Sequence, residues 1–113
     1  MNKRDEVIAK YANDLRDICY INPNMELLKR VTIGCGPAIY TKDSSTITGV
    51  RDSELKTIRN KFLIKKLGLS KNDKLDEGID KVMNQYGYSN RSKFRVVVYY
   101  LLAIHFGKES VYK

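Results

Sequence analysis

The amino-acid sequence predicts an all-α protein, a compact array of about five helices with a small β-hairpin or extended loop between the second and the third. Three observations favour this class. Apolar residues recur every three or four positions through most of the chain, which is the period of one helix face. Residues typical of helix N-caps precede these segments, and glycines follow them. No repeat, low-complexity tract or linker divides the 113 residues, so we expect one helical domain over residues 1–113.

The first two helices are expected to be amphipathic. In the segment Asp5–Tyr20 the apolar residues fall in one arc of about 120° on a helical wheel. Asn22 then has the character of an N-cap, with Pro23 at the first helical position. Gly34 is expected to end the second helix in a left-handed conformation.

The period changes between the second and third helices. Gly36 and Pro37 supply turn chemistry, and the pieces Ala38–Thr41 and Thr46–Val50 are short and β-prone. These features predict a small hairpin or an extended loop.

The third helix is expected to begin at Asp52 and to end before Gly68. A helix that is apolar on two sides normally lies between other elements, so we expect this one near the centre. Its apolar side chains fall on two sides of an α-helical wheel: Leu55, Ile58 and Phe62 on one, Leu63 and Leu67 on the other.

Two more helices complete the chain. The fourth begins at Ser70-Lys71-Asn72-Asp73, which has the spacing of a capping box with Asp in place of the preferred Glu or Gln, and it ends at Gly87. The fifth, Asn90–Phe106, is apolar all round and ends at Gly107, which favours a central core helix over a buried strand. The fourth helix has a single narrow apolar stripe, made of Leu75, Ile79, Val82, Met83 and Tyr86.

A set of short motifs in the second half has a characteristic order and spacing. They are Asp43-Ser44-Ser45, Glu54-Leu55, Arg59, Phe62-Leu63, Lys65 to Leu69, Leu75-Asp76, Ile79, Arg95-Val96 and Tyr99 to Ala103. Together they resemble the pattern of a family of short bacterial proteins, domain-of-unknown-function family 2853. The resemblance covers about Asp43 to Tyr112, and Ile104 departs from it because an acidic residue is usual there. It implies a small all-helical fold and brings no reaction, ligand or catalytic residue.

Positive charge is concentrated in the second half of the chain. The 21 basic and 13 acidic residues leave a net charge of +8, of which residues 51–113 hold +7. Such a field attracts nucleic acid or an acidic protein, although the same excess is also consistent with solubility alone. Eight cations within 24 residues form the candidate binding patch, which we call the basic patch: Arg51, Lys56, Arg59, Lys61, Lys65, Lys66, Lys71 and Lys74.

These charges favour a non-catalytic binding module for an acidic macromolecular partner, with an acidic protein expected first and nucleic acid as the alternative. The patch has no helix-turn-helix pattern and few aromatic residues placed to stack on bases. An enzyme is the other alternative. It would use Asp43, Ser44 and Ser45 with His105 as the base, but the serines lack a nucleophile elbow. Turn residues that bind their own backbone are the simpler interpretation, and His105 is expected in the core or at its rim.

Cofactors and membranes are not expected. Two cysteines and one histidine provide neither a disulfide framework nor a zinc ligand set, so we expect no metal and no cofactor. The longest apolar run, Val96–Phe106, is too short to cross a bilayer, and no apolar signal segment follows Met1. A cytoplasmic protein is therefore expected.

Overall fold

A computed structural model describes residues 2–112 and confirms the all-α class. The described residues contain six α-helices, one π-helical segment, two 3-10 helices and a sheet of two very short strands. In chain order these are α1 (Lys3–Asp17), α2 (Met25–Cys35), a 3-10 helix (Gly36–Tyr40), α3 (Lys42–Ser45), β1 (Thr46–Ile47), α4 (Asp52–Thr57), the π-helical segment (Ile58–Lys66), α5 (Asp73–Tyr86), β2 (Lys93–Phe94), α6 (Arg95–His105) and a 3-10 helix (Glu109–Tyr112).

The core is built around α6, as its apolar sequence predicts. This helix packs against α1, α2 and α5, and the other helices add their apolar stripes to one continuous cluster. The stripe expected on α5 is buried in full. No helix within residues 2–112 combines the length and the apolar character that crossing a bilayer requires. The buried residues of α6 are Val96, Val97, Val98, Tyr100, Leu101, Leu102 and Ala103.

The second helix begins and ends two residues later than expected. Its N-cap is Asn24, whose side chain accepts a hydrogen bond from the Leu27 N–H at 3.1 Å. The Asn24 N–H itself donates to the hydroxyl of Tyr100 at 2.8 Å, which ties the cap to α6. Gly34 lies inside α2, and the turn with positive φ (65°) is at Gly36. The hydrogen bond to Tyr100 of α6 therefore favours Asn24 over Asn22 as the N-cap.

The β-strand expected at residue 46 forms, but its partner is not the one expected. Thr46–Ile47 pairs antiparallel with Lys93–Phe94, with Thr46 opposite Phe94. The piece Ala38–Thr41 lies in the first 3-10 helix and the turn after it, so the local hairpin does not form. Because Lys93 and Phe94 are extended in β2, the last helix begins at Arg95 and not at Asn90.

Lys93 is the buried link between two loops. Its side chain is fully buried, and its ammonium donates to the backbone carbonyls of Thr48 (2.9 Å), Tyr88 (3.4 Å) and Asn90. Carbonyl oxygens on the loop before α4 and the loop before β2 thus share one cation. This contact explains how a charged residue occupies a strand in the core.

The third helix changes from an α-helix to a π-helix half-way along its length, and this change brings its two predicted apolar sides together on one face. From Ile58 to Lys66 it is π-helical, so that each N–H donates to the carbonyl five residues earlier, as Leu67 does to Phe62 at 2.9 Å. Residues five apart, which are about 140° apart on an α-helix, then lie nearly above one another. The buried set has this spacing of four and five, and so shares one face: Ile58, Phe62, Leu63 and Leu67.

The expected placement of the third helix between two layers is therefore wrong. Its fully buried residues face the core on one side, and its lysines are exposed around the rest of its surface. The α-helical wheel separated residues that the π winding brings together.

Candidate functional site

The structure divides the basic patch between two grooves and open surface. Lys56 and Arg59 line one groove, whereas Lys61 and Lys66 line another on the opposite side of the third helix. The remaining four cations of the patch are exposed and line neither of these two grooves: Arg51, Lys65, Lys71 and Lys74.

The first groove, between α4 and α5, already contains its own counter-charges. It has a volume of about 360 Å³, and three carboxylates line it, those of Asp52, Asp76 and Asp80. The Arg59 guanidinium bonds to Asp76 at 2.8 Å. An external anion gains little by binding there, because the carboxylate of Asp76 already neutralises Arg59.

The second groove has cations and no carboxylate. We call it the cationic groove; its volume is about 490 Å³, and none of the described residues that line it is Asp or Glu. Gly34, Cys35 and Ala38 form one wall, and the third helix and α6 form the others. Its charged and aromatic lining consists of Lys61, Lys66, Arg95, Phe62, Tyr99 and Tyr112.

The π winding places one side of this groove. Thr57, Lys61, Phe62 and Lys66 all line it, and they follow the same spacing of four and five that the buried face shows. On an α-helix Lys61 and Lys66 would lie about 140° apart and could not face one groove. π-helical segments are rare and occur often at functional sites.

Arg95 is held at the base of the groove, at the first residue of α6. It is half-buried, its Nε donates to the Ser44 carbonyl at 2.7 Å, and its Nη1 donates to the Tyr99 hydroxyl at 2.9 Å. Among the described residues, Arg95, Lys61 and Lys66 form no salt bridge within 4.0 Å. Three positive charges therefore converge on this groove without an anionic partner from residues 2–112.

Aromatic rings form the apolar floor. Phe62 and Tyr99 are stacked, with ring centroids 3.9 Å apart and planes 10° apart. Lys66 lies over the ring of Tyr112 at 5.2 Å, a cation–π arrangement. Burial raises the pKa of Tyr99, which Arg95 partly offsets, so the phenol is neutral at physiological pH and adds no negative charge.

The one thiol in the groove is not activated. Burial raises the pKa of Cys35 to about 11, although Arg95 and Lys66 act in the opposite direction. A protonated thiol is a weak nucleophile. Cys35 is therefore not an activated nucleophile.

The residues of the serine-enzyme alternative are not brought together. The Ser44 hydroxyl donates to the Ala38 carbonyl at 2.9 Å and that of Ser45 to the Lys42 carbonyl at 3.3 Å, so both serve the local backbone, and Asp43 is exposed. Ser44 contacts the first residue of α6, whereas His105 is the last, about 15 Å further along the helix.

Of the two positions expected for His105, the core or its rim, the structure places the residue at the rim. Its side chain is exposed, and its ring packs edge-on against Phe106 with centroids 4.8 Å apart. Because α6 reaches the surface at its C-terminal end, the residue there leaves the core even though the segment before it is apolar.

Sequence reasoning did not assign Arg95, Tyr99 or Tyr112 to the site. Arg95 lies far beyond the basic patch in the chain, and the groove joins residues from both ends of the sequence. One signal in the third helix could have indicated the groove. Thr57 and Phe62, and likewise Lys61 and Lys66, are five residues apart, which places them on one side of a π-helix but not of an α-helix.

Comparison with known proteins places the chain in a family. The family model described as "Protein of unknown function (DUF2853)" matches residues 10–110. The chain belongs to this family. The match begins well before Asp43, so the pattern of the family also covers most of the first 40 residues. A search of curated proteins gives no significant match.

Proposed function

We propose that this DUF2853 protein is a non-catalytic binding module whose cationic groove takes an acidic segment of a protein partner. The observation that carries the proposal is the half-buried Arg95, which meets Lys61 and Lys66 in a groove without a carboxylate. A charge that is partly removed from water costs free energy unless an opposite charge or strong hydrogen bonds compensate it. The Ser44 carbonyl and the Tyr99 hydroxyl accept hydrogen bonds from Nε and Nη1 of Arg95, but neither acceptor is charged. A carboxylate of the partner would accept from the remaining N–H groups of the guanidinium and supply the opposite charge.

The state of the aromatic rings favours a protein over nucleic acid. Single-stranded nucleic acid binds by stacking bases on free ring faces. In this groove Phe62 and Tyr99 stack on each other, and Lys66 covers a face of Tyr112. One face of each ring is thus covered within the protein, and Phe62 and Tyr112 are buried in the groove wall, so none of these rings projects to receive a stacked base. Lys61 and Lys66, in contrast, are exposed to carboxylates.

The exposed cations beside the groove serve a different purpose in this proposal. Lys65, Lys71 and Lys74 are exposed, so they add to the positive field that surrounds the groove. Charges of this kind speed the encounter with an acidic partner and contribute little to the bound state. We therefore expect them to affect the rate of association and its salt dependence.

The test measures fluorescence anisotropy with three labelled probes: an oligoglutamate peptide, random single-stranded DNA and random duplex DNA, at about 50 and 200 mM salt. The groove variant is Lys61→Gln/Lys66→Gln, and the matched control is Lys71→Gln/Lys74→Gln, which removes the same charge outside the groove. We expect saturable peptide binding that falls about tenfold in the groove variant and less than about twofold in the control.

Three results would overturn the proposal. The first is no binding of the peptide at the lower salt concentration. The second is an equal loss of affinity in the two variants, which would reduce the effect to net charge. The third is tighter binding to DNA that both variants weaken equally, which would make nucleic acid the partner.

A further inference from the structure

We infer that the acidic segment carries one large apolar side chain, which enters the cationic groove between its charged edges. The inference rests on the proposed function and names the chemistry of the partner. A groove that served carboxylates alone would need only its cations. This one also has an apolar floor, formed by Phe62, Tyr99 and Tyr112.

The groove has room for one large side chain together with the backbone on each side of it. Its volume of about 490 Å³ lies within the range of cavities that bind small ligands. The wall opposite the third helix carries little bulk, because Gly34 and Ala38 line it. A Cβ atom built at Gly34 would lie only 3.3 Å from the ring of Tyr112, so the absence of a side chain lets the ring pack closely there. A larger residue at this position would have to extend past the ring into the groove or displace the ring.

The charges lie where an extended peptide would place its carboxylates. Lys61 and Lys66 are one π turn apart on the third helix, while Arg95 belongs to α6 on another wall. Acidic residues on each side of a central apolar residue can therefore meet cations from two walls. The partner segment that fits is a short linear stretch with an aliphatic or aromatic residue flanked by aspartates or glutamates.

This anchor also explains how a small groove could be selective. Exposed ion pairs contribute little affinity and tolerate many partners, whereas a buried apolar anchor dominates the energetics of most protein contacts. A polyanion without an apolar residue is then expected to bind weakly and with strong salt dependence.

The experiment compares two labelled peptides, Glu-Glu-Leu-Glu-Glu and Glu-Glu-Gly-Glu-Glu, by fluorescence anisotropy against the full chain. They have equal charge and differ only in the apolar side chain. For the wild-type protein we expect the leucine peptide to bind about tenfold more tightly, as burial of such a side chain allows.

Gly34→Met is the variant that fills the groove without changing any charge. The flexible methionine is suited to occupying irregular apolar space, and Ala38→Leu is a second variant with the same purpose from another position. With folding checked by thermal denaturation, we expect the filled groove to bind both peptides equally, at an affinity within about twofold of the wild-type value for the glycine peptide.

The outcomes separate this inference from the proposal on which it rests. Equal binding of the two peptides to the wild-type protein, or a leucine preference that survives in both folded variants, would overturn the apolar anchor and leave the acidic-partner proposal standing. If neither peptide binds at about 50 mM salt, both the apolar anchor and the acidic-partner proposal are overturned.

Discussion

Glu54 stabilises the loop that leads from the sheet into α4, and its replacement by glutamine is the most informative test of the fold. The carboxylate accepts hydrogen bonds from the backbone N–H groups of Thr48 (2.9 Å), Gly49 (3.2 Å) and Arg51 (3.4 Å), and from the Thr48 hydroxyl (2.5 Å). Glu54→Gln keeps the shape of the side chain, removes its charge and turns one acceptor oxygen into a donor.

The expected loss of stability follows from these contacts. Hydrogen bonds to a charged group contribute roughly 1.5–3 kcal/mol each when they are well shielded, and Glu54 is only half-buried. We expect the substitution to disrupt the two shorter hydrogen bonds, both from Thr48. With about 1 kcal/mol for each, because solvent weakens them, the free energy of unfolding falls by about 2 kcal/mol. For a domain of this size, that corresponds to a fall of about 8 °C in Tm.

The pH dependence gives a second measurement. Burial raises the pKa of Glu54, but the hydrogen bonds from Thr48, Arg51 and Gly49 outweigh it, and the net pKa is lowered from 4.5. A carboxyl with a lowered folded pKa contributes stability above its unfolded pKa and loses it as the pH falls through the folded pKa. The difference between the wild type and Glu54→Gln should therefore be full at neutral pH and shrink below about pH 4.5.

The assay is urea and thermal unfolding of both proteins at neutral and acidic pH, with Asp52→Asn as the matched control. Asp52 lies in the same first turn of α4 and is exposed, so its loss should cost less than about 0.5 kcal/mol. Equal destabilisation by the two variants, or a Glu54 effect that does not change with pH, would refute the role assigned to these hydrogen bonds.

Two further predictions concern the core. In Gly78→Ala, the new Cβ would overlap the Phe106 ring, at 2.7 Å from Cε2, so we expect the free energy of unfolding to fall by about 1–3 kcal/mol. In the double mutant with Phe106→Ala the ring is gone, so the Gly78→Ala change should cost much less there than in the wild type. Additive losses would contradict the overlap. Tyr86→Phe removes a hydroxyl that donates to Asp14 and accepts from the Phe94 N–H at 3.1 Å, which should cost about 1–3 kcal/mol in urea unfolding. Burial raises the pKa of Tyr86 above its usual 10.0, so only the unfolded protein ionises this phenol just above pH 10. The free energy of unfolding should therefore fall as the pH rises past about 10. Tyr86→Phe should reduce this fall, and the same dependence of stability on pH in both proteins would contradict the assignment.

The helical class, the order of the five expected helices and the positions at which the third and fourth end could be predicted from the sequence, because these depend on neighbouring residues. The amphipathic stripe of α5 is an example: its spacing is local, and the structure buries all of it. The capping box expected at Ser70 does not form as such, because the N-cap is Asn72, two residues later. The concentration of positive charge in the second half is likewise a property of composition. None of these features needs a distant contact to be correct.

Tertiary contacts decided the strand partner, the winding of the third helix and the groove. Thr46 pairs with Phe94 and not with a neighbour, and the Arg95 guanidinium is oriented by the Ser44 carbonyl, 51 residues earlier. The π winding brings Lys61 and Lys66 to one side only because Ile58 and Leu67 are buried on another. A local pattern specifies the faces of an element, but the energy that selects between alternative windings and partners comes from burial against residues remote in the chain, which the order of residues does not display.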